Sequence, residues 1–276
     1  MLAIAGLISA SVCGAGIADN DSTRHWVLAR LQESLLPPRD LDGISSMLFG
    51  LVSNRQTVER PDTRRVLGEV ARLSASMEPA GLTCSDAVNL HLIAGFLNMA
   101  GMRFDSSALA ARVQDCLNSI SAYDKASALY SLCRFDAAVP SDRLAAAMAS
   151  IEALQQADGS FGSGYGLVHF YTSTHAVFAL HACGGDPLAI RLGQDFMLSA
   201  LPRLRQAGFL DALMQSLLML RNMGVDIPGE EHYLAYIRSR IKPDGSICCF
   251  DRPGCESDGH ATSQLLELYR LLPASE

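Results

Sequence analysis

The chain has 276 residues, 49% of them hydrophobic and 18% charged, with a formal net charge of −7 and a mean hydropathy of +0.17. That is enough apolar material for one large core, and the acidic balance excludes nucleic acid as a partner, because phosphate binding needs a basic face. No apolar run reaches the ~18 residues of a spanning helix, so no membrane span is expected.

Residues 1–20, MLAIAGLISASVCGAGIADN, are apolar and rich in small residues. They lack the Lys or Arg that opens a secretory signal, so they read as a first helix, with export as the alternative. Beyond them, apolar residues recur at spacings of three and four. Residues 24–36 form an amphipathic helix ending at Pro37-Pro38, and the far more apolar DGISSMLFGLV follows from Asp42. The same succession returns at 63–77 with 85–101, at 106–120 with 123–135, and at 141–156 with 172–186. It returns again at 187–203 with 209–224, and at 229–241 with 258–272.

The first members of these pairs begin about 40 residues apart, the period of a repeat architecture. Each pair joins an amphipathic helix to one that is apolar nearly all round, which must be buried on most faces. Six such pairs close naturally into an all-α, single-domain α/α toroid over residues 1–276, with six inner and six outer helices. No period-two strand pattern competes with this. Asp42, Ser85, Asp124, Thr172, Asp211 and Asp258 stand at or near the starts of the inner helices, where side-chain oxygens cap free N–H groups.

Two stretches share their punctuation. Asp158-Gly159-Ser160 and Asp244-Gly245-Ser246 each end an outer helix with turn-forming residues. Each is followed by a histidine, His175 or His260, five residues before a leucine. The expectation is that His91, His175 and His260 occupy equivalent places near one end of the inner helices. Eight cysteines are scattered at 13, 84, 116, 133, 183, 248, 249 and 255, with no Cys-x-x-Cys. A chain of this size needs no disulfide staples, so the cysteines read as free and the setting as reducing and cytoplasmic. Cys116, Cys133 and Cys183 then act as small core hydrophobes.

The stretch AMASIEALQQADGSFG, residues 147–162, resembles the repeat of the terpenoid cyclase and protein prenyltransferase β-subunit superfamily. Gln155, Asp158, Gly159, Ser160, Phe161 and Gly162 carry the likeness, with Ser173-Thr174 opening the next apolar run. IRSRIKPDGSI, residues 237–247, is a second copy without the Gln and the aromatic. The resemblance implies the toroid fold and three chemistries. The Asp-x-Asp-Asp acid of the alkene-protonating cyclases has no counterpart here. The prenyltransferase zinc site implies a histidine at His260, but the repeat before it, Thr172-Ser173-Thr174-His175, has neither the Asp nor the Cys. The zinc-binding lantibiotic cyclases imply Cys and His ligands, without their Cys-His-Gly pairing here.

The mouth of such a ring is lined by the starts of the inner helices. His175 and His260 are therefore the candidate acid and base, with Asp211, Asp258 and Tyr171 to orient substrate and tune charge. Asp86, His91, Tyr130, His169, Gln215 and Tyr165 are candidate substrate contacts; Tyr165 lies in the glycine-rich GSFGSGYG loop, which reads as a lid. The leading expectation is a terpenoid-cyclase-like enzyme that cyclises, isomerises or eliminates by acid–base chemistry on a largely apolar small molecule, without a cofactor. The first alternative is a zinc-dependent, prenyltransferase-like subunit with a helical partner, its metal held by Cys255, Asp258 and His260. The second is a toroid that binds without catalysis.

Overall fold

A computed structural model of the chain describes residues 20–53, 55–136, 141–164 and 166–271. The expectations for the apolar N-terminal segment and for Tyr165 lie outside these residues. Among the described residues there are no β-strands, only two isolated bridges, Gln155 with Phe161 and Phe209 with Phe250.

The helices alternate as the apolar periodicity requires. The first pair is α1 (Asn20–Ser34) and α2 (Leu41–Ser53), followed by a single turn, α3 (Arg55–Val58). Next come α4 (Pro61–Ala75) with α5 (Cys84–Met99), and α6 (Ser107–Cys116) with α7 (Ala122–Phe135). The later pairs are α8 (Ser141–Glu152) with α9 (Gly166–Cys183), α10 (Pro187–Gln206) with α11 (Leu210–Asn222), and α12 (Glu230–Arg238) with α13 (Gly259–Leu271). Two starts show the capping logic: Thr83 and Ser121 accept from the N–H groups of Asp86 and Asp124, three residues on, which satisfies donors the helix leaves open.

The second members are the buried ones. In α11 every residue from Leu210 to Leu218 is buried, and α5 and α9 are buried on several faces. They pack in succession: α2 on α5, α5 on α7, α7 on α9, α9 on α11 and α11 on α13, and α13 packs back on α2. Contact between α2 and α13 is very close. A Cβ on Gly50 would lie 2.0 Å from the Ser263 carbonyl oxygen, so only glycine lets these two backbones meet there. The amphipathic helices pack against the buried ones, α4 and α6 against α5, α8 against α7 and α9, and α10 against α9 and α11. The apolar core forms two clusters, one mostly on α1, α2, α4 and α5, joined by Val58, Leu109 and Leu266, and one running from α5 through α13.

The two Asp-Gly-Ser turns are the same device. Asp158 accepts from Ser160 N–H (3.0 Å) and Oγ–H (2.6 Å), and Asp244 accepts from Ser246 in the same way (3.0 and 2.7 Å). Gly159 and Gly245 both take positive φ, +85° and +84°. The residue after each turn donates its N–H into the following buried helix, Phe161 to Ser173 Oγ and Ile247 to Thr262 Oγ1.

That pairing corrects the histidine register. Ser173 lies 15 residues after Asp158, whereas Thr262 lies 18 after Asp244. With Ser173 and Thr262 equivalent, His260 matches Tyr171, and His175 matches Gln264 one turn deeper. The second copy carries a longer loop, and the shared distance to a leucine was a coincidence of that insertion.

The cysteine expectation is overturned. Cys84 bonds to Cys116, Cys133 to Cys183, and Cys248 to Cys255. The first bridge ties α5 to α6, the second α7 to α9, and the third closes the loop before α13. Cys249 is a free cysteine. Cys116, Cys133 and Cys183 are thus cross-links as well as core residues, and Cys255 has no thiolate to give a metal. No described helix is long and apolar enough to cross a membrane.

Candidate functional site

Six helices, α2, α5, α7, α9, α11 and α13, contribute to the wall of one cavity of about 140 Å³. Each supplies residues spaced i, i+3, i+4 or i+7, the face a helix presents to one side. The wall is therefore stratified along the helix axes. At the rim stand Asp42, Ser85, Tyr123, Asp124 and His260. One turn in lies a polar layer of Ser46, Asn89, Ser127, His175, Gln215 and Gln264. Deeper still the wall turns apolar, with Phe49, Leu92, Tyr130, Phe178 and Leu218. Phe49, Phe96, Tyr130 and Phe178, with Asn222, also border a second, more polar hollow at the opposite helix ends, near Arg134 and His181. They form an aromatic partition between the two, in which Tyr130 stacks on Phe178 at 4.8 Å.

His175 sits in the polar layer with both ring nitrogens engaged. The Gln215 amide donates to Nε2 (2.7 Å). With that acceptor fixed, Nδ1 carries the proton and donates to Ser127 Oγ (3.1 Å), a tautomer assigned from the amide orientation. Tyr123 packs on the ring at 4.4 Å. Burial, helped by His260, pushes His175 down to about 3. The ring is thus neutral at neutral pH, its two nitrogens held by Gln215 and Ser127.

His260 stands at the rim, its side chain 39% exposed, with Nδ1 3.4 Å from Asp211. Gln264 donates to His260 Nε2 (3.0 Å) and to Asp211 Oδ1 (3.3 Å). Asp211 also accepts from the Tyr171 hydroxyl at 2.5 Å, and that charge, after burial, pushes the Tyr171 phenol up. Asp211 is thus a buried carboxylate held by three side chains, one layer behind the wall. It orients His260 and would stabilise the imidazolium.

Asp42 and His260 both line the cavity, on the neighbouring helices α2 and α13. Burial, then the Asp40 and Asp124 carboxylates, raise its carboxyl above the usual range, against the opposing pull of His260. A carboxyl held towards its acid form beside a histidine is an arrangement for moving protons.

Cys249 lies where the metal-ligand expectation put Cys255. Its Sγ and single oxygens of Asp211 and Asp258 lie within 4.8 Å of one another. Burial, Asp211 and Asp258 all push the thiol up, so in this protein it is an S–H donor to Asp258. Asp258 also caps α13 by accepting from Ala261 N–H (2.8 Å).

The sequence-derived candidates therefore separate. His175, His260, Tyr130 and Gln215 line the cavity. Tyr171, Asp211 and Asp258 gather behind it through His260, Gln264 and Cys249. The other three are placed elsewhere. His91 is fully buried, bonds Ser131 Oγ (3.1 Å) and is pushed down to about 4 by burial. Asp86 is held by Thr83 (2.6 Å) at the start of α5. His169 packs on Phe196. The residues missed are Tyr123, Gln264 and, as more than a cap, Asp42. The signal that could have found Gln264 is the i+4 step from His260, which repeats in Tyr171–His175 and Asp211–Gln215.

No protein-family model matches the chain, and no curated protein matches it either.

Proposed function

We propose that the cyclic packing of α2, α5, α7, α9, α11 and α13 is an α/α toroid. We propose further that the chain is an enzyme acting by acid–base chemistry on a largely apolar small molecule held in its central cavity. One observation supports this reading: a largely apolar depth bordered by aromatic rings leads through a polar layer to a rim that carries both Asp42 and His260. That is the design of a small-molecule site, with few polar groups converging on an apolar hollow.

In this reading Asp42 gives a proton to the bound molecule. His260, oriented from behind by Asp211, removes one at a neighbouring position as Gln264 yields its bond to Nε2. The outcome is isomerisation, elimination or ring closure, and His175 and Gln215 fix the substrate's polar end. Three disulfides favour an oxidising compartment for this work over the cytoplasmic expectation, since thiols stay reduced in the cytosol.

The test is proton exchange. Short isoprenoid alcohols and ketones incubated with the protein in D2O should gain deuterium at allylic or α positions, and His260→Ala should abolish the gain. Binding without exchange in the wild-type protein would leave a non-catalytic binding toroid.

A second reading, zinc-dependent transfer, is favoured by the meeting of Asp211, Cys249 and Asp258. Thiol and carboxylates are fitting ligand types, and a bound zinc would supply an activated thiolate or water. In that case the ligand sulfur is Cys249.

A further inference from the structure

Resting on the reading of the cavity as a small-molecule site, we infer that Phe178 and Tyr130 set the size of its ligand. Their rings close the deep end against an apolar body longer than about six carbons. The volume gives the limit: about 140 Å³ is close to the ~150 Å³ of an engineered apolar cavity that binds benzene. The limit belongs to the rings and not to the space beyond them, because the second hollow holds about 510 Å³. Among the described residues only Phe49, Phe96, Tyr130, Phe178 and Asn222 stand on both walls. What separates the two spaces is therefore one layer of rings, and a longer ligand has somewhere to go once a ring is removed.

The layer is braced. Tyr130 stacks on Phe178 with centroids 4.8 Å apart and meets the edge of Phe135 at 6.2 Å. Phe135 meets Phe96 at 5.4 Å, and Phe96 meets Phe49 at 5.7 Å, so one chain of rings crosses α9, α7, α5 and α2. Phe135 is wedged against α5, where a Cβ on Gly95 would lie 2.2 Å from its ring. About one turn beyond the stacked pair, the Cys133–Cys183 bridge ties α7 to α9. A close-packed group fixed in this way does not swing aside for a longer ligand without strain. Phe178 is the end of the chain: among the described residues it packs on one ring only, and it is half-buried. The ligand's hydroxyl or carbonyl stays one turn inside the rim, where Ser46, Asn89 and Ser127 are half-buried and on the wall. Its apolar body then points at the rings, and each further methylene should tighten binding about fourfold until they are met.

Titration calorimetry with the straight-chain alcohols from 1-butanol to 1-decanol holds the head constant and varies only the length. In the wild-type protein affinity should climb about fourfold per carbon to about 1-hexanol and then level off or fall. Phe178→Ala, checked for native near-ultraviolet dichroism, joins the two hollows. Its affinity should go on climbing and leave 1-decanol bound at least about tenfold tighter than by the wild type. Tyr130→Phe keeps the ring and should keep the wild-type limit. If Phe178→Ala does not fold, Phe178→Leu takes its place, with the limit again moved to longer alcohols. A climb through 1-decanol in the wild type, or an unmoved limit in the folded Phe178 variant, overturns the inference and leaves the cavity as a ligand site. A wild-type protein that binds none of these alcohols overturns the cavity reading itself.

Discussion

Removing the Cys133–Cys183 bridge is expected to cost about 4 kcal/mol. The bridge closes a loop with a sequence separation of 50, and the chain-entropy relation for that length gives about 4 kcal/mol of stabilisation through the unfolded state. Both cysteines are half-buried, so Cys133→Ser/Cys183→Ser adds little cavity penalty to the entropic loss. For a domain of this size about 2 °C accompanies each kcal/mol, which puts the fall in Tm near 8 °C. Urea unfolding of the double variant beside the wild type, both without reductant, measures it. A loss below about 1 kcal/mol would refute the reasoning. So would a wild-type chain that, unfolded but never reduced, titrates with the full eight thiols of its sequence.

Stability should fall in mild acid. His91 and His175 are pushed by burial from 6.5 to about 4 and about 3, so the unfolded chain takes up protons that the folded one refuses. Their contribution is complete above about pH 6.5 and is lost as pH falls towards 4, at roughly 2–3 kcal/mol each by pH 4.5. His91→Gln should flatten the urea-midpoint profile, and an unchanged slope would contradict the burial argument. Gly50→Ala should destabilise by about 1–3 kcal/mol through overpacking at the α2–α13 contact, read by thermal melting; a neutral result would mean those helices do not touch. Elemental analysis decides the zinc reading: about one zinc per chain, lost in Cys249→Ser, is its expected signature, and wild-type protein without metal retires it.

The helices were legible because their causes are local. The α4 pattern at 63–77 appears as Pro61–Ala75, and that of α7 at 123–135 as Ala122–Phe135. The start of α9 was misplaced: residues 166–171, GLVHFY, follow a glycine-rich loop and carry no Ser, Thr or Asp to announce a cap, so the helix seemed to open at Thr172. The site was only partly legible, because a first-turn aspartate reads as a cap whether or not it also faces a cavity, as Asp42 does. Gln264 looks like any polar residue of an amphipathic helix until its neighbours Asp211 and His260 are known. The disulfides were illegible for a plainer reason. Pairing requires Cα atoms about 5–6 Å apart, and a separation of 32 or 50 residues says nothing about that distance.

The seam between α2 and α13 has a consequence for how the chain acquires its shape. Thr23 donates to the Gly245 carbonyl across 222 residues, and Ser263 donates to the Ser46 carbonyl across 217. A ribosome delivers the partners of these bonds 222 and 217 residues later, so α1 and α2 wait through that span of synthesis with their apolar flanks uncovered. The nascent molecule then carries two apolar ends that match each other. Such ends can also find those of a neighbouring chain, and at high expression the expected by-product is a domain-swapped dimer in which α13 of each chain packs on α2 of the other.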